Sequence, residues 1–162
     1  MILLLVVILP LLAALAIVVG ARKAPPERAR NGLLAAAAVH LLLCMATLRL
    51  DVAWTTLIIR DQEWLALDRF SNSILLLVSA LFFCVAIHCR YWLKAKKQLL
   101  EIEQAESGIT DHERLMPEWI FLPCLLAFLS AMTLAICATN LALMWVAIEA
   151  TTLISAPLIC LN

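Results

Sequence analysis

Long apolar runs alternate with short polar connections along the whole chain. In a bilayer the backbone must satisfy its own hydrogen bonds, so runs long enough to cross a hydrocarbon core of about 30 Å are expected to be helices. Five such spans are predicted, at 2–19, 31–48, 70–89, 119–138 and 141–161. The pattern predicts an all-α integral membrane protein with about five transmembrane helices, forming a single membrane domain over residues 1–162.

The basic side chains in the polar connections predict the orientation. They cluster after the first span and after the third, as Arg22, Lys23, Arg28, Arg30, Arg90, Lys94, Lys96 and Lys97. Lys and Arg near helix ends are retained on the cytoplasmic side. We therefore expect the N-terminus outside, the C-terminus inside, an outer connection at 49–69 and a polar cytoplasmic loop at 90–116. No basic residue precedes the first run, so we expect a retained span and not a cleaved signal.

The outer connection is rich in β-branched and aromatic residues, including Val52, Trp54, Ile58, Ile59 and Trp64. This composition favours a short hairpin or an interfacial segment that caps the helices outside. In the 90–116 loop, a basic stretch precedes an acidic one. That charge pattern is typical of a solvated face, and docking against a cytoplasmic partner subunit is the alternative.

The composition agrees with a membrane protein. The chain is 65% hydrophobic and 15% charged, with a mean hydropathy of +1.00. This is too apolar for a water-soluble domain of 162 residues. We expect a multi-pass protein of the cell's inner (cytoplasmic) membrane. The zero net charge gives no sign of a nucleic-acid partner. The six cysteines form no C-x-x-C pair, so we expect neither a metal site nor another cofactor.

Within the predicted spans, the ionisable residues that raise a functional question are His40, His88 and Glu149. His88 lies at the inner end of its span, where an interfacial role is expected. His40 lies in mid-span, where a neutral imidazole can hydrogen-bond between helices or take part directly in proton transfer. The predicted depths of the two histidines differ by about 15 Å, so they are not expected to bracket one haem iron.

Glu149 is the strongest candidate for chemistry, because it lies near the middle of the fifth span. A bare carboxylate there is costly, so it must be protonated, paired with a cation, or next to trapped water. In each of these states the carboxyl group can take up or release a proton. The alternative is a carboxyl group that only holds helices together. Helical spacing places Ala142, Trp145, Thr152 and Ala156 on the same face, and Thr152 supplies a hydroxyl.

Two stretches of the sequence resemble a known family. Residues 140–156, NLALMWVAIEATTLISA, resemble the fifth-helix motif of the antiporter-like subunits of respiratory complex I, multisubunit cation/proton antiporters, and membrane-bound hydrogenase and formate hydrogenlyase complexes. Within this motif, the segment WVAIEATTL is most similar to the hydrogenase branch. Residues 64–77, WLALDRFSNSILLL, resemble the start of that family's third helix, where an aspartate precedes the apolar run.

The resemblance implies proton translocation driven by an electron-transfer partner, with Glu149 paired to a lysine on a later helix. In the family that lysine follows the portion matched here, so we expect another chain to supply it. The implied function is that of a subunit, or an N-terminal split piece, of a proton-translocating module in a complex I or hydrogenase-type oxidoreductase. The candidate proton-translocation residues are Glu149, Thr152 and His40, and of these the resemblance supplies Glu149. No catalytic residue or redox centre is expected in the chain itself. The alternative is a structural subunit that anchors such a complex without transporting ions.

Overall fold

Helices dominate the computed structural model, which describes residues 2–21, 26–49, 56–59, 62–107 and 118–160. In chain order the elements are α1 (Ile2–Ala21), α2 (Pro26–Thr47), β1 (Thr56–Ile59), β2 (Gln62–Ala66), α3 (Arg69–Ser107), α4 (Glu118–Cys137) and α5 (Leu141–Cys160). The five predicted spans each fall on one of the five helices of this described part, which confirms the predicted helical fold.

Four of these helices are long and apolar enough to cross a membrane, and they contain candidate spans at Ile2–Gly20, Glu27–Thr47, Arg69–Lys96 and Ile120–Cys137. The apolar stretch described in α5, Leu141–Ala156, is shorter. Large apolar side chains such as Leu12 and Val19 are exposed along α1, at 62% and 68% of their surface. An uncovered apolar surface of this kind is typical of a membrane protein. Crossing by α5 and the orientation of the chain remain predictions.

The helices pack around two buried apolar clusters. One cluster joins α1, α2, α3 and α4 through side chains that include Ile17, Leu33, Phe82 and Leu126. The other lies at the opposite end, where Leu3, Cys44, Leu75 and Cys137 meet Leu65 of the hairpin. In order along the bundle, α1 packs on α2 and α4, α2 packs on α3, and α4 packs on α5.

The connection at 49–69 contains the predicted hairpin. Its two strands are antiparallel, with Thr56 opposite Ala66 and Ile59 opposite Gln62, and an irregularity after Leu57. Leu65 also forms a β-bridge with Ala138, in the turn between α4 and α5. The hairpin and this turn therefore lie at the same end of the bundle, as the predicted topology requires. Val52 and Trp54 lie outside the described residues.

The structure differs from the sequence prediction after Cys89, where the third span was expected to end in a polar loop over 90–116. Helix α3 instead continues without interruption to Ser107, a length of 39 residues. Residues 90–107 contain no Gly or Pro and are rich in Lys, Leu, Gln, Glu and Ala, which are good helix formers. The high charge of this stretch predicts solvent exposure, which is compatible with a helix as well as with a loop. Residues 108–117 lie outside the described part of the chain.

Candidate functional site

Helix α5 has two distinct faces. Leu143, Ala147 and Ile154 are buried or half-buried on the face toward α4. The other face is exposed along its length, and it carries Glu149 together with Ala142, Trp145, Thr152 and Ala156. The helical spacing predicted this shared face. Because the described elements cover only the α4 side, the carboxyl group of Glu149 points away from the bundle.

Glu149 lies about 12 Å along the helix axis from Leu141, the first residue of α5. Its side-chain contact within the described residues is with Thr152, whose Oγ1 lies 3.5 Å from Glu149 Oε2. The same hydroxyl donates to the Glu149 backbone carbonyl at 2.8 Å. A hydroxyl has one proton, and the carbonyl bond is the shorter, so Thr152 contributes little to holding the carboxyl group. No ion pair to Glu149 is present in the described ranges.

His40 has a different environment, because its side chain is fully buried where α2, α3 and α4 meet. Its Nδ1 atom lies 2.9 Å from Ser79 Oγ on α3. Its Nε2 atom lies 3.3 Å from Thr133 Oγ1 on α4. Cys44, one turn along α2, places its Sγ atom 3.7 Å from Nδ1. Both ring nitrogens therefore have a hydroxyl partner, and the imidazole joins three helices.

The hydroxyl protons around His40 indicate which nitrogen carries the ring proton. Thr133 Oγ1 donates to the Leu129 carbonyl at 2.8 Å, so its oxygen is left to accept from His40 Nε2–H. Nδ1 is then an acceptor for the Ser79 hydroxyl. A neutral imidazole with Nε2–H satisfies every one of these bonds.

A second polar contact joins α2 and α3 closer to the hairpin. Thr47 Oγ1 lies 2.9 Å from Asn72 Oδ1, and it also lies 2.7 Å from the Cys44 carbonyl. Both side chains are buried. Sequence reasoning missed Ser79, Thr133, Thr47 and Asn72. Their spacing was the available signal, because residues 40, 44 and 47 share one face of α2, and 72 and 79 share one face of α3.

The three residues predicted for proton translocation do not form one site. Glu149 and Thr152 are neighbours on the open face of α5, whereas His40 is enclosed between α2, α3 and α4. His88 is exposed on α3. In the part of the chain that the structure describes, no three or more His, Cys, Asp or Glu side chains group so that they could hold a metal ion.

Comparison with known proteins adds no family assignment. No model of a known protein family matches the chain, and no curated protein matches it significantly.

Proposed function

We propose that the chain is a subunit, or an N-terminal split piece, of an antiporter-like, proton-translocating module that works with an electron-transfer complex of the complex I or hydrogenase type. Glu149 is its proton-carrying residue. The proposal rests on the sequence resemblance in 64–77 and 140–156. The structural observation that supports it is the position of Glu149, in the middle of α5 on a face that the described bundle leaves open.

An open face is consistent with a carboxyl group that has its partner elsewhere. A charged side chain at the centre of a lone transmembrane helix costs about 2.5–3.5 kcal/mol on insertion scales. A hydrogen bond between helices contributes only about 0.6–2 kcal/mol. The long contact with Thr152 does not offset that cost. Glu149 must therefore be protonated or face a cation or trapped water, and α5 itself has no Lys or Arg.

The partner in this proposal is a helix of another membrane subunit that carries a lysine at the depth of Glu149. A carboxyl group between this cation and trapped water can exchange a proton as the lysine approaches or withdraws. The complex would lie in the cell's inner membrane, with the hairpin outside. Electron transfer takes place on other subunits, and this chain contributes the protonatable group.

The alternative is a structural subunit whose α5 only packs against its neighbour. The apolar side chains around Glu149 favour packing of this kind, since Trp145, Val146 and Leu153 are exposed on and beside its face at 65%, 56% and 72%. In that case Glu149 holds the helices together by hydrogen bonding and carries no proton.

Replacing Glu149 by Gln separates the two functions, because the amide keeps the shape and the hydrogen bonds but cannot titrate. We expect the complex to assemble at normal abundance while proton movement per electron, measured in vesicles alongside electron transfer, falls at least tenfold. Glu149→Asp should retain part of the movement. Unchanged proton movement in Glu149→Gln would refute the proton-carrying function and favour the structural one.

Glu63→Gln is the matched control, since it makes the same chemical change at an exposed carboxylate of the hairpin, outside the helices. Proton movement should be unaffected in this variant. A similar loss in both variants would show that the effect does not come from the position of Glu149.

A further inference from the structure

Helices α2 and α3 have one antiparallel register that two hydrogen bonds define. His40 lies level with Ser79, and seven residues toward the hairpin Thr47 lies level with Asn72. Continuing this register toward the hairpin places Arg49 level with Arg69 and Phe70. Continuing it in the other direction places Arg28 level with Arg90 and Tyr91.

Arginines therefore stand in two level pairs. Arg28 and Arg49 are twenty-one positions apart in the sequence, and so are Arg69 and Arg90. At 1.5 Å per residue, the two levels are separated by about 30 Å, which is the thickness of a hydrocarbon core. All four side chains are exposed. The two levels match the two boundaries of a bilayer.

The two levels differ in net charge. At the hairpin end, Arg49 and Arg69 have the exposed carboxylates Glu63 and Asp68 near them in the chain. Asp68 also accepts a hydrogen bond from the Arg69 backbone N–H. At the other end, the exposed Glu27 lies next to Arg28 and is the one described acidic residue of that turn, while α3 continues from Arg90 with Lys94 and Lys96. The described charges there still sum to an excess of positive charge. No acidic residue lies between Arg69 and Lys96.

Aromatic side chains at this second end suit the headgroup region. The Lys96 Nζ atom lies 4.9 Å from the centre of the Trp92 ring, a cation–π contact that holds the ammonium beside the indole. Tyr91 is 69% exposed and Trp92 is 39% exposed. Trp and Tyr prefer the interface between hydrocarbon and water. Aromatic and basic groups thus lie together at the depth where lipid phosphates are found.

We propose that four basic side chains bind the headgroups of anionic phospholipids in the leaflet opposite the hairpin. We call this group the basic collar; it consists of Arg28, Arg90, Lys94 and Lys96. The charge is complementary, because basic side chains near a membrane surface are attracted to anionic lipid headgroups. The proposal rests on the membrane location of the helices and is independent of the function of Glu149.

The test uses the full chain reconstituted in phosphatidylcholine bilayers with trace spin-labelled lipid. Electron paramagnetic resonance measures how strongly labelled phosphatidylglycerol associates with the protein relative to labelled phosphatidylcholine. We expect at least a threefold preference for phosphatidylglycerol, which high salt should reduce because the Debye length shortens to about 3 Å at 1 M. If the protein inserts in the bilayer but shows no preference for phosphatidylglycerol, the lipid proposal is wrong. The proposed function of Glu149 is not affected by that result.

Two double variants supply a matched comparison. Arg28→Gln/Arg90→Gln removes two arginines from the collar and should at least halve the preference. Arg49→Gln/Arg69→Gln removes the same number at the hairpin end and should leave the preference unchanged. Should the first variant fail to fold, Lys94→Gln/Lys96→Gln is expected to lower the preference in the same way. Equal effects at both ends, or no effect of the collar variants, would refute the proposal.

Other anions serve as competitors to the lipid. Inorganic phosphate and polyglutamate, each added at a concentration equal to that of the labelled lipid, should not displace phosphatidylglycerol. Displacement by phosphate would reassign the collar to a soluble anion, and displacement by polyglutamate would reassign it to an acidic protein surface. Either result overturns the lipid proposal.

Discussion

The Ser79 hydroxyl lies 2.9 Å from Nδ1 of His40, and this buried contact fixes α3 against α2. The Thr133 hydroxyl contacts the other ring nitrogen, so that one imidazole joins three helices at a common level. In an apolar bundle most contacts are non-directional. A hydrogen-bonded histidine therefore specifies a register that the packing of Leu and Ala alone leaves less well defined.

Removing the Ser79 hydroxyl should measure that contribution. We expect Ser79→Ala to lower the free energy of unfolding by about 1–2 kcal/mol, because Nδ1 loses its donor inside the bundle. Reversible unfolding of the purified protein in mixed micelles gives this value. Ser73→Ala is the control, since Ser73 is exposed on the same helix and its hydroxyl bonds to the Arg69 carbonyl of that helix. Equal destabilisation by both changes would contradict an interhelical function for His40.

A second prediction concerns the contact between the hairpin and the α4–α5 turn. The Thr139 side chain donates to the Glu63 carbonyl, and the Thr139 backbone N–H donates to the Trp64 carbonyl at 3.2 Å. Thr139→Ala removes one of these bonds, worth about 1 kcal/mol. Hydrogen exchange in 62–66 and 138–141 should become several-fold faster. Thr151→Ala, whose hydroxyl bonds within α5 to Ile148, should leave exchange there unchanged.

A third prediction concerns orientation, which rests on the charges of the connections. Tags placed near Lys23 and Lys96 should be protected from impermeant reagents in intact cells, and a tag near Trp54 should react. Permeabilised cells provide the control, in which all three tags should react. The reverse pattern in intact cells would place the hairpin on the cytoplasmic side and invert the proposed topology.

Much of the fold follows from local sequence. Continuous apolar runs predict the helices, and the β-branched and aromatic residues around Ile58 predict the hairpin. The shared face of α5 also follows, because helical periodicity alone places Trp145, Glu149 and Thr152 together. Each of these features depends on residues close together in the chain.

The features that the sequence did not predict depend on relations between helices or on competing signals. Ser79 and Thr133 are ordinary small polar residues within apolar runs, and only the register of α2, α3 and α4 brings them to His40. The continuation of α3 past Cys89 was missed for another reason. Its basic side chains predict solvent exposure, but an exposed segment can be a helix as well as a loop, and these residues favour a helix.

The final prediction concerns assembly on the open face of α5. A photoreactive residue replacing Leu153, which is 72% exposed beside Glu149, should cross-link to another membrane subunit when the native complex is illuminated. A photoreactive residue at Leu42, 68% exposed on α2, provides the comparison and should not cross-link to that subunit. If the partner presents a cation, Glu149→Lys should abolish the Leu153 cross-link by charge repulsion, whereas Glu149→Gln should preserve it. Mass spectrometry of the cross-linked product identifies the partner. Adducts with lipid alone at position 153, or a stable monomer recovered in mild detergent, would contradict the proposal that another chain covers Glu149.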